Sequence, residues 1–153
     1  MKEPTYDLQT EKNYFVYKFT SAGPKGAVEK IVLYTETDVS NNFNLAFGDL
    51  NESGDDFDDF AVTDNQDTLK VLGTVASTLF PFFTHNPGAT VIASGSTPAR
   101  NRLYRTGIAR YLDEISEKFA IFGYNKEGEW EDFNPSNDYQ AFSIRVRQNW
   151  YLS

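Results

Sequence analysis

The alternation of apolar and polar residues in the first third of the chain predicts three β-strands. Segments 14–20 and 43–48 place apolar or aromatic side chains at every second position, which is typical of strands with one buried face. Segment 27–35 is predicted as the strand between them. The apolar run at 31–33 indicates that the second strand is buried on both faces. Because the connections between these segments are short and rich in turn residues, we expect an antiparallel meander.

Two later segments place apolar residues at helical spacing. The first stripe comprises Leu69, Leu72, Ala76, Leu79, Phe80 and Phe83. Asp64 suits the N-cap of this helix, Asp67 suits its first turn, and Pro81 is expected to end or kink it. The second stripe comprises Tyr104, Ile108, Tyr111, Leu112, Ile115 and Phe119. Pro98 stands where a proline at the first helical position belongs.

Three further short strands, at 89–94, 119–124 and 139–147, complete a predicted element order of β-β-β-α-β-α-β-β. The economical arrangement is a single α+β domain over residues 1–153, with a largely antiparallel sheet of about six strands and two helices packed on one face. Residues 1–12 and 148–153 are expected to be peripheral.

Composition limits the class of protein. The chain has 153 residues, 40% of them hydrophobic, which suits one domain with one core. It contains no Cys, so disulfides and thiolate metal sites are excluded. The first residues lead into no apolar signal segment, and no apolar run reaches the length of a membrane span. We therefore expect a cytoplasmic protein without membrane association.

Charge is distributed unevenly along the chain. The net charge is −8, which disfavours attraction to nucleic acid or anionic lipid. Eight of the 22 acidic residues lie between Asp49 and Asp67, whereas all six Arg lie at or after position 100. Whether these acidic and arginine-bearing regions face each other in space decides what chemistry they can carry.

The strand-turn-helix segment from 91 to 105 has the composition of an anion site. Gly95 permits close approach of a ligand to the backbone, and the following helix start offers free N–H groups and a favourable dipole. Arginine side chains there match the geometry of phosphate or carboxylate. The candidate ligand-binding residues are Gly95, Ser96, Thr97, Arg100, Arg102, Tyr104, Arg105 and Asp49.

The same residues also fit a well-capped helix start whose arginines are solvated or paired with acids. Arg110, for example, has Asp113 and Glu114 at helical pair spacing. The segment carries neither the Gly-Lys-Ser/Thr of a phosphate loop nor the Gly-x-Gly-x-x-Gly of a dinucleotide fold. Both interpretations therefore stay open from the sequence.

The acidic segment matches only part of a calcium loop. Asp49, Asn51, Ser53 and Gly54 occupy suitable positions, but Phe60 stands where a bidentate carboxylate is required. The neighbouring carboxylates Asp55, Asp56, Asp58 and Asp59 are typical of a solvated acidic loop. His85 is the one His in the chain, so a His-rich zinc site is excluded. We predict no metal site and no cofactor.

Three segments of the chain together resemble a known family. They are Phe47-Gly48-Asp49, the helical stretch 70–75, and the motif Gly-Ser-Thr-x-x-Arg-x-Arg-Leu-Tyr at 95–104. This combination resembles a family of small, uncharacterised bacterial proteins, over roughly residues 14–146. The resemblance implies a bacterial setting and no particular reaction.

The leading functional hypothesis is a non-enzymatic binding or regulatory module, which recognises a partner protein or a small anionic ligand between Gly95 and Arg105. The alternative is an enzyme acting on a phosphorylated or nucleotide substrate. In that case Arg100 and Arg102 would clamp the anion, and Asp49 or a nearby Asp would act as base or metal ligand. A third option is self-association through an exposed strand edge, and the sequence leaves monomer and homodimer open.

Overall fold

The predicted meander forms one half of a mixed β-sheet. The computed structural model describes residues 4–11, 14–50, 64–95 and 97–147, together with the backbone of 57–58. Its strands are β1 (Gln9–Glu11), β2 (Val16–Gly23), β3 (Gly26–Glu36), β4 (Asn42–Leu50), β5 (Phe57–Asp58), β6 (Thr90–Ala93), β7 (Phe119–Tyr124), β8 (Trp130–Asp132) and β9 (Ala141–Val146). Its helices are α1 (Thr68–Ser77), α2 (Leu79–His85), α3 (Pro98–Arg110) and α4 (Leu112–Ile115).

The strand order is β1-β2-β3-β4-β6-β9-β7-β8, and β5 pairs with β4 outside this path. The pairs within the described residues are antiparallel except that β4 and β6 are parallel. The predicted α+β class is confirmed, but the estimate of about six strands was too low. The additional strands β1, β5 and β8 have two or three residues each, which is too short for an alternation to be read from sequence.

The helices connect the two halves of the sheet. α1 and α2 carry the chain from β4 back to β6 in the same direction, as a parallel pair requires. The predicted interruption occurs at Thr78, between α1 and α2. Pro81 lacks the N–H that would bond the carbonyl of Ser77, so an unbroken helix would lose this bond. In the described part of the chain, no helix combines the length and apolar character needed to cross a membrane.

All four helices contribute to one face of the sheet, and the core lies between. Pairing register places Tyr17 opposite Val32 and Val32 opposite Phe47, so these side chains share that face. Phe82 of α2 is fully buried there, with its ring stacked on Tyr34 at a centroid distance of 4.0 Å. The two predicted helices therefore do pack on one face, each divided into a longer and a shorter helix.

The N-terminal stretch is part of this packed structure. We expected residues 1–12 to be peripheral, and residues 4–11 are described. Tyr6 packs against the core, its N–H donates to Thr74 Oγ1 at 2.9 Å, and its ring stacks on Phe19. The described part of the segment is therefore attached to α1 and β2. The other predicted peripheral segment, 148–153, lies outside the described residues.

The aromatic centre of the core leads to a stability prediction. Phe82→Ala removes a fully buried ring and leaves a cavity, so we expect the free energy of unfolding to fall by about 3–5 kcal/mol. Val39→Ala is the control, because Val39 is 60% exposed and its loss should cost less than about 0.5 kcal/mol. Urea unfolding followed by circular dichroism measures both changes. Equal losses in the two variants would contradict this description of the core.

Candidate functional site

A cavity of 360 Å³ opens on the helix face of the sheet, between the first turns of α1 and α3. Its floor is formed by β3 and β4, and the loop before α1 closes one side. The lining residues are Lys30, Phe47, Asp64, Asp67, Thr68, Val71, Leu72, Thr97, Ala99, Arg100 and Leu103. The volume lies near the lower end of the range of about 300–1,000 Å³ that is usual for small-molecule sites.

Lys30 brings a positive charge to the floor of this cavity. The residue is fully buried, and its Nζ donates a hydrogen bond to Asp49 Oδ1. The two residues face each other across the antiparallel pair of β3 and β4, on the helix face of the sheet. Burying an ion pair costs several kcal/mol of lost hydration per ion, which attraction and hydrogen bonds only roughly offset. The pair therefore adds little net stability at this position.

Arg100 adds a second buried cation from α3. It is 4% exposed, and its Nη2 donates to the backbone oxygen of Phe47. Its guanidinium carbon lies 4.5 Å from the centroid of the Phe47 ring, in a cation–π arrangement. Asp49 follows Phe47 by two positions on β4, on the same face and about 7 Å further along the strand. Arg100 therefore lies beside the Lys30–Asp49 pair.

The first turns of two helices border the cavity. In α3, Thr97 is the N-cap, and its hydroxyl accepts from the Arg100 N–H at 3.2 Å. In α1, Asp67 holds the N-cap position, but its side chain makes no capping hydrogen bond. This corrects the predicted N-cap at Asp64. Helix starts favour negative charge through their N–H groups and dipole, and here α1 and α3 direct that effect to one place.

The Asp67 carboxylate turns away from its helix toward two hydroxyls. Its Oδ2 accepts from the Tyr6 hydroxyl at 2.6 Å and from Ser21 Oγ at 2.5 Å. Burial raises the pKa of Tyr6, and the hydrogen bond to Asp67 raises this pKa further. These bonds fix Asp67 against β2, so one carboxylate oxygen is held by the protein.

Asn65 fixes the loop that carries these acids. It is buried, accepts from the Lys25 N–H at 2.7 Å, and donates to the Gly26 oxygen at 2.8 Å. The loop is thereby attached to the β2–β3 turn. Asp64 and Asp67, on either side of Asn65, both reach the cavity wall as a result.

The structure brings together some of the predicted site residues. Thr97 and Arg100 line the cavity, and Asp49 lies just behind Lys30. Asp64 and Asp67, at the end of the acidic region, line the same cavity as Arg100. The acidic and arginine-bearing regions therefore do meet, at least through these three carboxylates.

Other predicted residues lie elsewhere. Arg102 is exposed and Arg105 half-buried, and both border a separate depression. Arg105 Nη1 donates to the Pro135 oxygen at 3.4 Å, and its Nε lies 3.6 Å from Asp138 Oδ1. Residues two apart on a helix do not face each other. Arg102 therefore lies outside the cavity that Arg100 lines.

Gly95 and Tyr104 have structural contacts. The Gly95 N–H donates to Asn101 Oδ1 at 2.7 Å, so the turn is folded against the first turn of α3. The Tyr104 hydroxyl donates to the Leu45 oxygen at 3.3 Å within the core. Ser96 lies outside the described residues, as do the side chains of Asp55, Asp56, Asp58 and Asp59.

The sequence argument missed Lys30, the most buried charge at the site. A signal was available, because Lys30 continues the alternating register of Val32 and Tyr34 on the buried face of β3. His85 is not among the cavity residues, and its ring stacks on Tyr14 at the end of α2. Across the residues that the structure covers, no three His, Cys, Asp or Glu side chains gather as a metal site.

The fold and the cavity together define an α+β protein with a ligand-sized, partly polar cavity beneath two helix starts. A family profile described as a family of unknown function (DUF6934) matches residues 2–147, and the chain belongs to this family. This confirms the expected membership of an uncharacterised family. The motif at 95–104 and the bacterial setting stay predictions. No curated protein and no solved structure matches the chain.

The turn before α3 gives a prediction based on close packing. A Cβ at Gly95 would collide with Arg100 Cβ and lie 2.8 Å from the Asn101 nitrogen. Gly95→Ala should therefore displace the start of α3 and lower the free energy of unfolding by about 1–3 kcal/mol. Gly88→Ala is the matched control, since a Cβ there meets no atom within 4 Å. Thermal unfolding that is equally affected in both variants would contradict the packing argument.

The buried ion pair gives a second stability prediction. Lys30→Met leaves Asp49 buried without its Nζ partner, so we expect a loss of about 3–5 kcal/mol in the free energy of unfolding. Lys18→Met is the control on the neighbouring strand, where Lys18 makes an exposed pair with Glu11 at 3.7 Å. That change should cost at most about 1 kcal/mol. Urea titration measures both changes. A loss of at most about 1 kcal/mol in Lys30→Met would show that the pair is not buried in solution.

Proposed function

We propose that this protein is a non-enzymatic binding module that holds a small anionic ligand in the cavity over Lys30 and Arg100. The observation that supports the proposal is the placement of two buried cationic residues, Lys30 and Arg100, against one cavity. Buried Lys and Arg are rare in proteins. Because both residues border a cavity large enough for a small molecule, a role in ligand binding would explain why they are buried there.

The electrostatics around the cavity support an anion. The guanidinium of Arg100 carries several donors in a planar fork. The ammonium of Lys30 adds a positive charge that it shares with Asp49. The starts of α1 and α3 add N–H groups and the positive ends of two helix dipoles. Inside a partly buried cavity these contributions are less screened than on the surface.

This proposal places the site between α3 and the sheet, rather than on the exposed side of α3 where Arg102 lies. The anion contacts Thr97 and Arg100, as the sequence indicated, but Lys30 of β3 takes the role first given to Arg102. We propose a cytoplasmic location and a bacterial setting with it. A protein partner would take the place of the small anion if no anion binds.

An enzymatic role on a phosphorylated substrate is the second candidate. It is favoured by one observation, namely that Asp64 and Asp67 line the same cavity as Arg100. A carboxylate next to an anion clamp is what general base catalysis needs. The assay is release of inorganic phosphate from a phosphate ester. Activity in the parent chain that is lost in Asp64→Asn and Asp67→Asn would favour the enzymatic role over the binding module.

The test is a titration with inorganic phosphate and pyrophosphate, followed by amide chemical shifts. We expect shifts at Thr68, Ala99 and Arg100, and a dissociation constant raised about tenfold or more in Arg100→Gln, because a charged hydrogen bond is lost. Arg102→Gln is the control on the same helix and should bind within about twofold of the parent chain, since an exposed charge outside the cavity contributes little.

A second variant tests the same cavity without replacing a buried residue, in case Arg100→Gln does not fold. Ala99 is exposed in the first turn of α3 and lines the cavity, so Ala99→Glu places a negative charge there without disturbing the core. It should also weaken phosphate binding. The small-anion function fails if no cavity amide moves with either anion, or if Arg102→Gln weakens binding as much as Arg100→Gln and Ala99→Glu do.

A further inference from the structure

The cavity is lined by side chains of both charges. Lys30 and Arg100 supply the cations, whereas Asp64 and Asp67 supply carboxylates from the loop before α1. Val71, Leu72 and Leu103 add apolar surface. A bare inorganic anion would use only the cations, so the carboxylates suit a ligand with a second kind of group.

The hydrogen bonds of the two carboxylates show which atoms remain for a ligand. Both protein donors to Asp67, the hydroxyls of Tyr6 and Ser21, bind its Oδ2. The Gln66 N–H binds Asp64 Oδ1 at 2.9 Å. Each ionised carboxylate offers about four acceptor positions on two oxygens. Within the described residues, Asp67 Oδ1 and Asp64 Oδ2 receive no hydrogen bond, although both residues border the cavity.

Resting on the function proposed above, we infer that the ligand carries hydrogen-bond donors beside its anionic group, and that Asp64 and Asp67 bind these donors. The class is a small phosphorylated or carboxylated compound bearing hydroxyl or ammonium groups on a short carbon skeleton. The anion lies against Lys30 and Arg100, and the donors lie against the loop. The carbon skeleton contacts the apolar surface of α1 and α3.

The arrangement also explains why an acidic wall accompanies an anion site. A carboxylate repels a bare anion but accepts strong hydrogen bonds from a neutral hydroxyl or an ammonium group. Asp64 and Asp67 therefore favour a molecule that presents donors over inorganic phosphate, which still binds but more weakly. Specificity of this kind arises from a repulsive element together with an attractive one.

The test compares four probes that share a phosphate group. Propyl phosphate lacks donors, α-glycerophosphate has the same skeleton with two hydroxyls, phosphoethanolamine has an ammonium group, and inorganic phosphate is the reference. We expect α-glycerophosphate or phosphoethanolamine to bind about tenfold more tightly than propyl phosphate, because charged hydrogen bonds are added. The tighter of the two identifies hydroxyl or ammonium as the donor.

The variants Asp64→Asn and Asp67→Asn give the decisive readout. Each keeps an oxygen for its protein donors but loses the negative charge. We expect the donor-bearing probe to bind several-fold more weakly, while propyl phosphate binds equally or more tightly because a repulsive charge is gone. Asp64→Asn is the safer variant, since Asp64 makes one local bond to the Gln66 N–H, whereas Asp67 connects Tyr6 and Ser21.

The outcomes separate this inference from the function beneath it. If none of the four probes shifts the cavity amides, the anion-binding function itself fails. If propyl phosphate binds but the donors add no affinity, or if both Asn variants weaken all probes alike, the anion site stands and the inference about donors is overturned.

Discussion

The contact of Lys30 with Asp49 is the constraint on which the arrangement of the site depends. Both side chains lie on the buried face of paired strands, and they meet only in the observed register of β3 and β4. A slip by one residue would turn every side chain of β3 to the opposite face. Lys30 would then leave the cavity, and Val32 and Tyr34 would leave the core. The ion pair and the hydrophobic core therefore require the same register.

Arg100 connects this strand pair to the helices. Its bond to the Phe47 oxygen and its position over the Phe47 ring attach the start of α3 to β4. Gly95 makes the attachment feasible, because a larger residue in the turn would collide with Arg100. The cavity lies where α3 is held to the sheet on one side and the Asn65 loop is held to β2 and β3 on the other.

Family membership implies no activity, so the function is inferred from the residues of the site. Two buried cations favour an anionic group, and the carboxylates of Asp64 and Asp67 favour donors on the same molecule. The Lys30–Asp49 pair is tied to the register of the two strands, but stability alone does not require it, since buried ion pairs are commonly replaceable by apolar residues at no loss of stability. A polar, mixed-charge cavity gives the pair a second role.

The sequence by itself determined the local features of this protein. Apolar patterns identified the long strands, helical spacing identified α1 and α3, Pro81 marked the break near Thr78, and Pro98 marked the start of α3. These features depend on neighbours within a few residues. Arg100, which the sequence offered as a site candidate, lines the cavity, whereas Arg102 borders a separate depression.

Only the tertiary structure decided which distant residues meet. The placement of β9 between β6 and β7, and the gathering of Lys30, Asp67 and Arg100 around one cavity, depend on contacts between segments far apart in the chain. Hydrophobic burial has no direction, so a pattern shows that a face is buried without showing what covers it. Strand order and register supply that information, and they place Lys30 beside Arg100.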